Sequence, residues 1–173
     1  TCRNNPVWRD YLKKIIKIQI DAGVPGIQLD ECELPMTSIG SGGCFCKDCM
    51  KQFTQFLKER KKEGLLSSEW DKIDLEHFNY KDYLLQQHYA HPKGAPFFRE
   101  YWEFQIRAVR KYFGELVDYA KDYAQKTYGR ELQVSGNFFN LQPAYYPIEN
   151  KVDVLLTEME HTLFRQPHFY RYC

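Results

Sequence analysis

The chain has 173 residues, a length typical of one globular domain with a substantial core. Lys and Arg number 24 against 23 Asp and Glu, so the formal net charge is +1 and no electrostatic attraction to nucleic acid or to an anionic membrane is expected. Apolar residues make up 43% and charged residues 27%, which excludes the collagen-like and disordered classes. No apolar run approaches the roughly 20 residues that cross a bilayer. The composition is compatible with both a cytoplasmic and a secreted location.

The first part of the chain predicts a helix followed by a strand. Pro6 opens a helix with apolar residues at helical spacing, and Gly23 ends it. Residues 24–29 form a short apolar run typical of a buried strand, whose carboxyl end delivers Asp30 and Glu31. A helix, a strand and acidic residues at the strand end together indicate an α/β unit.

Helical patterns dominate the middle of the chain. The cysteine-containing segment 44–49 leads into a helix that runs to about Glu63. Residues 65–94 contain short helical pieces, which we interpret as an insertion. Residues 98–128 carry the strongest helical periodicity and need about eight turns.

Two further strands are expected after the long helix. Residues 132–137 alternate apolar and polar side chains, and a strand over 152–158 ends at Glu158. This order fits consecutive βα units, so we predict an α/β fold in which 1–173 form a single partial (β/α)8 (TIM) barrel domain. Because only three strands are found and such a barrel takes about 250 residues, we expect a fragment of a larger chain. A small open α/β sheet is the alternative.

Cysteines occupy positions 2, 32, 44, 46, 49 and 173. Cys2, Cys44, Cys46 and Cys49 form a C-x41-C-x-C-x2-C set, and four thiolates so spaced can bind zinc tetrahedrally. Since a site with four protein ligands has no open position, we expect a structural zinc that ties the loop after the first strand to the start of the preceding helix. Cys32 competes as the fourth ligand. Disulfides and free thiols are the alternatives to zinc.

A wider set of residues surrounds these cysteines: Cys2-x-Asn-x-Pro with Arg9 and Tyr11 leading into a helix, an acid-tipped strand, and Gly43-Cys44-Phe45-Cys46-x2-Cys49-x3-Phe53 with Phe56-Leu57. This set resembles the middle of family-42 β-galactosidases and related glycoside hydrolases, roughly from the third helix to the sixth strand. The resemblance implies a (β/α)8 fold and hydrolysis of a glycoside such as a β-galactoside. It also implies that Cys2 joins Cys44, Cys46 and Cys49 to bind zinc.

The resemblance further implies a position for the catalytic acid. Family-42 enzymes carry an Asn-Glu pair at the end of the fourth strand, where the Glu is the general acid/base, and the matching segment here reads Asp30-Glu31-Cys32. Aligning Glu31 with that acid puts Asp30 in place of the Asn, whereas a gap-free match of the strand puts Cys32 in the acid's place. The family's nucleophile lies on a later strand, beyond Cys173.

Glycoside hydrolysis needs two carboxyl groups flanking the scissile bond. We predict that Glu31 is the general acid/base and that Asp30 binds a substrate hydroxyl or tunes the charge. Asp30 as nucleophile and a loop-capping role for the pair are the alternatives. If strand geometry persists, neighbouring side chains point to different faces, so only one would enter the barrel mouth. Glu158, at the end of the last strand, is the candidate second carboxylate.

Polar and aromatic residues near the same predicted edge are candidate ligands for a carbohydrate, the expected partner. Asn137 is a candidate for binding a sugar hydroxyl, and His161 for contacting the substrate. Aromatic rings either stack on a pyranose or pack under their loop: Phe138, Phe139, Tyr145 and Tyr146. The competing functions are a non-catalytic carbohydrate-binding barrel and a zinc-stabilised scaffold with tyrosines as a protein contact surface. A homo-oligomer is left open.

Overall fold

The computed structural model describes residues 2–32, 39–40, 43–138, 148 and 150–157. Within these ranges the elements follow in the order α1 (Pro6–Asp21), β1 (Gly26–Leu29), α2 (Lys47–Lys62), a 3-10 helix (Ser68–Lys72), α3 (Tyr80–Gln86), α4 (Phe98–Tyr128), β2 (Gln133–Phe138) and β3 (Val154–Thr157). The predicted order of helices and strands is confirmed. None of these described helices combines the length and hydropathy that a membrane crossing requires.

By its internal contacts the chain divides into two compact units. The first comprises Thr1–Pro6 and Pro35–Ala108, and the second comprises Val7–Leu34 and Val109–Cys173. The division falls inside the continuous helix α4.

The first unit has an aromatic core. Helix α2 buries one face, made of Cys49, Met50, Phe53, Phe56 and Leu57. The ring of Phe53 lies 5.4 Å from that of Tyr101, 5.4 Å from that of Phe104 and 5.6 Å from that of Tyr80. Tyr80 belongs to the predicted insertion and is fully buried, so the short helical pieces of 65–94 supply part of this core.

The second unit contains a three-stranded sheet in the order β1-β2-β3, and both strand pairs are parallel. Gly26 pairs with Gln133, and a Cβ at Gly26 would lie 2.9 Å from the Gln133 carbonyl oxygen, so this close approach requires glycine. Parallel strands confirm the expected α/β class. The sheet formed by the described strands is open, so the closed barrel stays a prediction.

Helices α1 and α4 are joined by matched contacts in the second unit. Arg9 donates to Glu115 at 2.7 Å and lies 5.6 Å from the ring centre of Tyr112. Two turns further along α1, the ammonium of Lys17 lies 5.1 Å from the ring centre of Tyr123. Because later residues of α1 meet later residues of α4, these two segments run parallel, as helices of successive βα units do.

Candidate metal centre and strand-end carboxylates

Four thiols meet in the first unit. The sulfur atoms of Cys2, Cys44, Cys46 and Cys49 all lie within 4.8 Å of one another. Cys2 Sγ is 3.3 Å from Cys46 Sγ and 3.4 Å from Cys49 Sγ. The set predicted from spacing is therefore brought together, and these four residues could hold a metal ion.

The size of the cluster is that of a four-thiolate metal site. Zn–S bonds of about 2.3 Å place neighbouring sulfurs about 3.8 Å apart, between the shortest distances here and the upper bound of the cluster. A disulfide would need about 2.05 Å. The five described cysteines are all free thiols, so the disulfide alternative is not found among them.

Local structure brings the four residues together from two places in the chain. Cys2 lies just before α1, where the N–H of Asn5 donates to its carbonyl at 3.1 Å. Cys46 is the N-cap of α2, and Cys49 follows in the first turn of that helix. A C-x2-C pair at a helix start turns both thiols to one side, because three residues make almost one turn.

Asn4 is a site residue that sequence reasoning missed. It is buried, its main-chain N–H donates to Cys2 Sγ at 3.3 Å, and its side-chain Nδ2 donates to Cys49 Sγ at 3.3 Å. Gln52 in turn donates to the Asn4 carbonyl at 3.0 Å. Such donors orient metal-binding thiolates and stabilise their charge. An amide two residues after the first cysteine was the available signal.

The pKa values of the thiols shift in different directions. Burial and the hydrogen bond to Cys46 raise the pKa of Cys2 to about 11, and burial raises the pKa of Cys49 well above its usual range despite the Asn4 donor. Burial alone would raise the pKa of Cys46, but the Cys49 N–H, which donates to its sulfur, and the hydrogen bonds it shares with the neighbouring thiols lower it. Thiols bind metal as thiolates, so a bound cation would favour ionisation of the whole set.

Aromatic packing supports the loop that carries Cys44. The hydroxyl of Tyr101 donates to the Cys44 carbonyl at 3.2 Å, and the Tyr101 ring lies 5.3 Å from that of Phe45. Tyr101 is fully buried. The core of the first unit therefore holds the segment that presents the thiols.

Cys32 is not part of this cluster. It lies in the second unit, fully buried, and its thiol donates to the Leu29 carbonyl at 3.3 Å. Among the described cysteines, the group that could hold a metal contains Cys2 and not Cys32. The physical reason is that the end of β1 draws Cys32 into the interior of its own unit.

Asp30 and Asn137 meet at the carboxyl ends of β1 and β2. Asn137 Nδ2 donates to Asp30 Oδ1 at 2.8 Å, and the Cys32 N–H donates to the Asn137 carbonyl at 2.9 Å. Asp30 and Glu31 are both exposed. Two predicted site residues are thus in direct contact, through an amide–carboxylate hydrogen bond.

Strand geometry does not persist to Glu31. Strand β1 ends at Leu29, and Glu31 has a φ of 50°, in the left-handed region. The expectation that Asp30 and Glu31 point to opposite faces rested on extended backbone and does not apply to this turn. The backbone conformation of Glu31 is one that residues with a Cβ seldom adopt.

Several predicted ligands lie outside the described residues: Phe139, Tyr145, Tyr146, Glu158 and His161. Phe138 is described, and it is fully buried at the end of β2. Its ring is therefore packed in the interior and does not offer a surface for a sugar.

Comparisons with protein-family models, with curated proteins and with solved structures give no match to this chain.

Proposed function

We propose that this chain is the central part of a glycoside hydrolase in which Glu31 is the general acid/base. The observation that carries the proposal is the grouping of Asp30, Glu31 and Asn137 at the carboxyl ends of adjacent parallel strands. Active sites of parallel α/β enzymes lie at this edge. Two neighbouring carboxyl groups can divide the work of a glycosidase, since one can protonate the glycosidic oxygen while the other binds a sugar hydroxyl.

Within this proposal the two acids have different roles. Asp30 accepts the hydrogen bond of Asn137 and binds a substrate hydroxyl, while Glu31 donates the proton to the leaving oxygen. Glu158, the residue after β3, is the proposed second carboxylate.

We also propose that the sheet belongs to a (β/α)8 barrel. Val154, Leu155 and Leu156 of β3 are 43%, 48% and 37% exposed, on both faces of the strand. Parallel strands are normally covered on both faces. This exposure supports further βα units beside β3, and it is the reason to prefer a barrel to a complete three-stranded sheet.

The metal that we propose for the four-cysteine cluster is zinc. Four sulfur ligands within 4.8 Å of one another suit zinc, which prefers four-coordinate thiolate sites, and they leave no coordination position open. A closed site of this kind stabilises the fold and leaves the chemistry to the carboxylates.

The test of the hydrolase is Glu31→Gln in the intact protein. We expect the kcat for alkyl β-glycosides to fall by about 100-fold or more, because the amide has no acidic proton to give to a poor leaving group. Turnover is followed by release of the free sugar from galactoside, glucoside and fucoside substrates.

Glu131→Gln is the matched control. This exposed residue precedes β2 at the opposite end of the strand, so its substitution removes the same charge without touching the site. Retained turnover in Glu31→Gln, with normal folding by circular dichroism, would contradict the assignment.

A non-catalytic carbohydrate-binding or zinc-stabilised scaffold is the second candidate. It is favoured by Asp30, which stands in place of the Asn of the family-42 pair and is engaged by Asn137. A carbohydrate-binding barrel predicts saccharide binding by calorimetry without turnover of any substrate in the panel, whereas a zinc-stabilised scaffold predicts neither binding nor turnover.

A further inference from the structure

Asn137 contacts the residues on both sides of Glu31. Its side-chain Nδ2 donates to Asp30 Oδ1 at 2.8 Å, and its main-chain carbonyl accepts the N–H of Cys32 at 2.9 Å. Cys32 is fully buried and its thiol donates to the Leu29 carbonyl. The residues before and after Glu31 are therefore both fixed to the sheet.

Glu31 occupies the left-handed region between these two fixed neighbours, with a φ of 50°. Only glycine, and to a lesser degree Asn and Asp, visits this region readily. A strained conformation persists when the surrounding structure over-determines it, and such strain concentrates at functional sites. Here Asp30 and Cys32 cannot shift without breaking a contact to Asn137.

We propose that Asn137 is a positioning residue that clamps Asp30 through its side chain and Cys32 through its main chain, and thereby holds Glu31 in the backbone conformation that its function requires. This role differs from a sugar-hydroxyl ligand, because the Asn137 amide acts on Asp30. The purpose of Glu31 rests on the proposed function, whereas the clamp rests on the contacts themselves.

The first test compares Glu31→Gly with Glu31→Ala by thermal unfolding of the full chain. Both substitutions remove the carboxylate, but only glycine relieves the left-handed strain. We expect Glu31→Gly to melt about 2–4 °C above Glu31→Ala. At Glu131, which is outside the left-handed region, the order should reverse because glycine adds backbone freedom to the unfolded chain. An equal or lower melting temperature for Glu31→Gly than for Glu31→Ala would overturn the proposal.

The second test exchanges the two partners of the hydrogen bond. Asn137→Asp alone faces Asp30 with a second carboxylate, and we expect amide hydrogen exchange of residues 30–32 to become at least about threefold faster. Adding Asp30→Asn restores an amide–carboxylate pair with the roles reversed, so exchange should return to within about twofold of the parent. Two results would refute the clamp. One is an amide hydrogen-exchange rate that is unchanged in Asn137→Asp, and the other is a raised rate that the added Asp30→Asn substitution does not restore.

Activity separates this inference from the proposed function. On any glycoside that the parent protein cleaves, Asn137→Asp should lower kcat by more than about tenfold with KM within about twofold, because orientation and not ground-state binding is lost. If the parent cleaves none while the melting and exchange results hold, the hydrolase is wrong and the clamp stands. If turnover is present but melting and exchange fail, the clamp is wrong and the hydrolase stands.

Discussion

A single buried amide does much to organise the thiol cluster. Asn4 donates to the sulfur of Cys2 through its main chain and to that of Cys49 through its side chain. Substituting Asn4→Asp keeps the shape of the side chain but replaces the donor with a negative oxygen beside a thiolate. We therefore expect metal affinity to fall by about 10–100-fold, measured by competition with a chromogenic chelator.

Asn5→Asp serves as the control for this prediction. The Asn5 side chain donates to Asp48 at 3.0 Å, so this change adds the same charge next to the site through a different contact. Equal affinities of the Asn4 and Asn5 variants would contradict the role given to Asn4.

Asp21, at the end of α1, makes the stability of the folded protein depend on pH. Hydrogen bonds from Lys17, Tyr123 and Tyr128 lower the pKa of this carboxyl from 3.8 to about 2. Because the pKa is lower in the folded state, the stabilisation is complete above pH 3.8 and is lost as the pH falls through about 2. We expect the melting temperatures of the parent and of Asp21→Asn to converge between these pH values.

Asp10→Asn, on the same helix, provides the comparison for Asp21→Asn. Thermal scans from pH 5 to pH 2 measure all three proteins. A constant difference between parent and Asp21→Asn over this range would show that the ionised carboxylate contributes nothing.

At the residue scale, spacing alone could predict that Cys44, Cys46 and Cys49 lie together, because a C-x-C-x2-C run restricts where three sulfurs can go. The choice between Cys2 and Cys32 could not be read in the same way, since it depends on which unit each residue packs into. The left-handed Glu31 had no signal at all, because glutamate has no preference for that conformation.

At the scale of elements, charged and aromatic side chains pair α1 with α4. Arg9 is 9% exposed, bonded to Glu115 and stacked near Tyr112. Arg9→Met keeps much of the apolar stem but removes the bond, so we expect a loss of about 1–3 kcal/mol in the free energy of unfolding, measured in urea. Lys126→Met, at an exposed pair on α4, should change it by less than about 0.5 kcal/mol.

The elements themselves were predictable because proline, glycine and helical spacing mark their ends. Their pairing was not, since contacts such as Arg9 with Glu115 join residues more than a hundred positions apart and leave no local pattern. Arginine at position 9 reads as a surface residue in sequence, although it is buried in the structure.

For the whole molecule, metal removal should act on one unit. We expect the purified chain to contain one zinc, and a strong chelator to accelerate amide exchange in residues 2–6 and 43–108 while β1, β2 and β3 keep their protection. Elemental mass spectrometry gives the metal content, and exchange mass spectrometry maps the response.

Two results would contradict this expectation: a chain without zinc that retains full protection in residues 43–62, or a chelator effect that is equal in both units.

The two-unit division was not predictable from composition, because its boundary at Ala108 and Val109 lies within the unbroken helical pattern of α4.

The exposed strand β3 also offers a surface for self-association. Val154, Leu155, Leu156 and Thr157 are uncharged and strand-forming, and they lie at one edge of the described sheet. Such an edge is a template for strands from other molecules, and nothing within the strand itself, such as lysine or proline, blocks that addition. We therefore expect the isolated protein to aggregate at high concentration, and Leu155→Lys to reduce this aggregation.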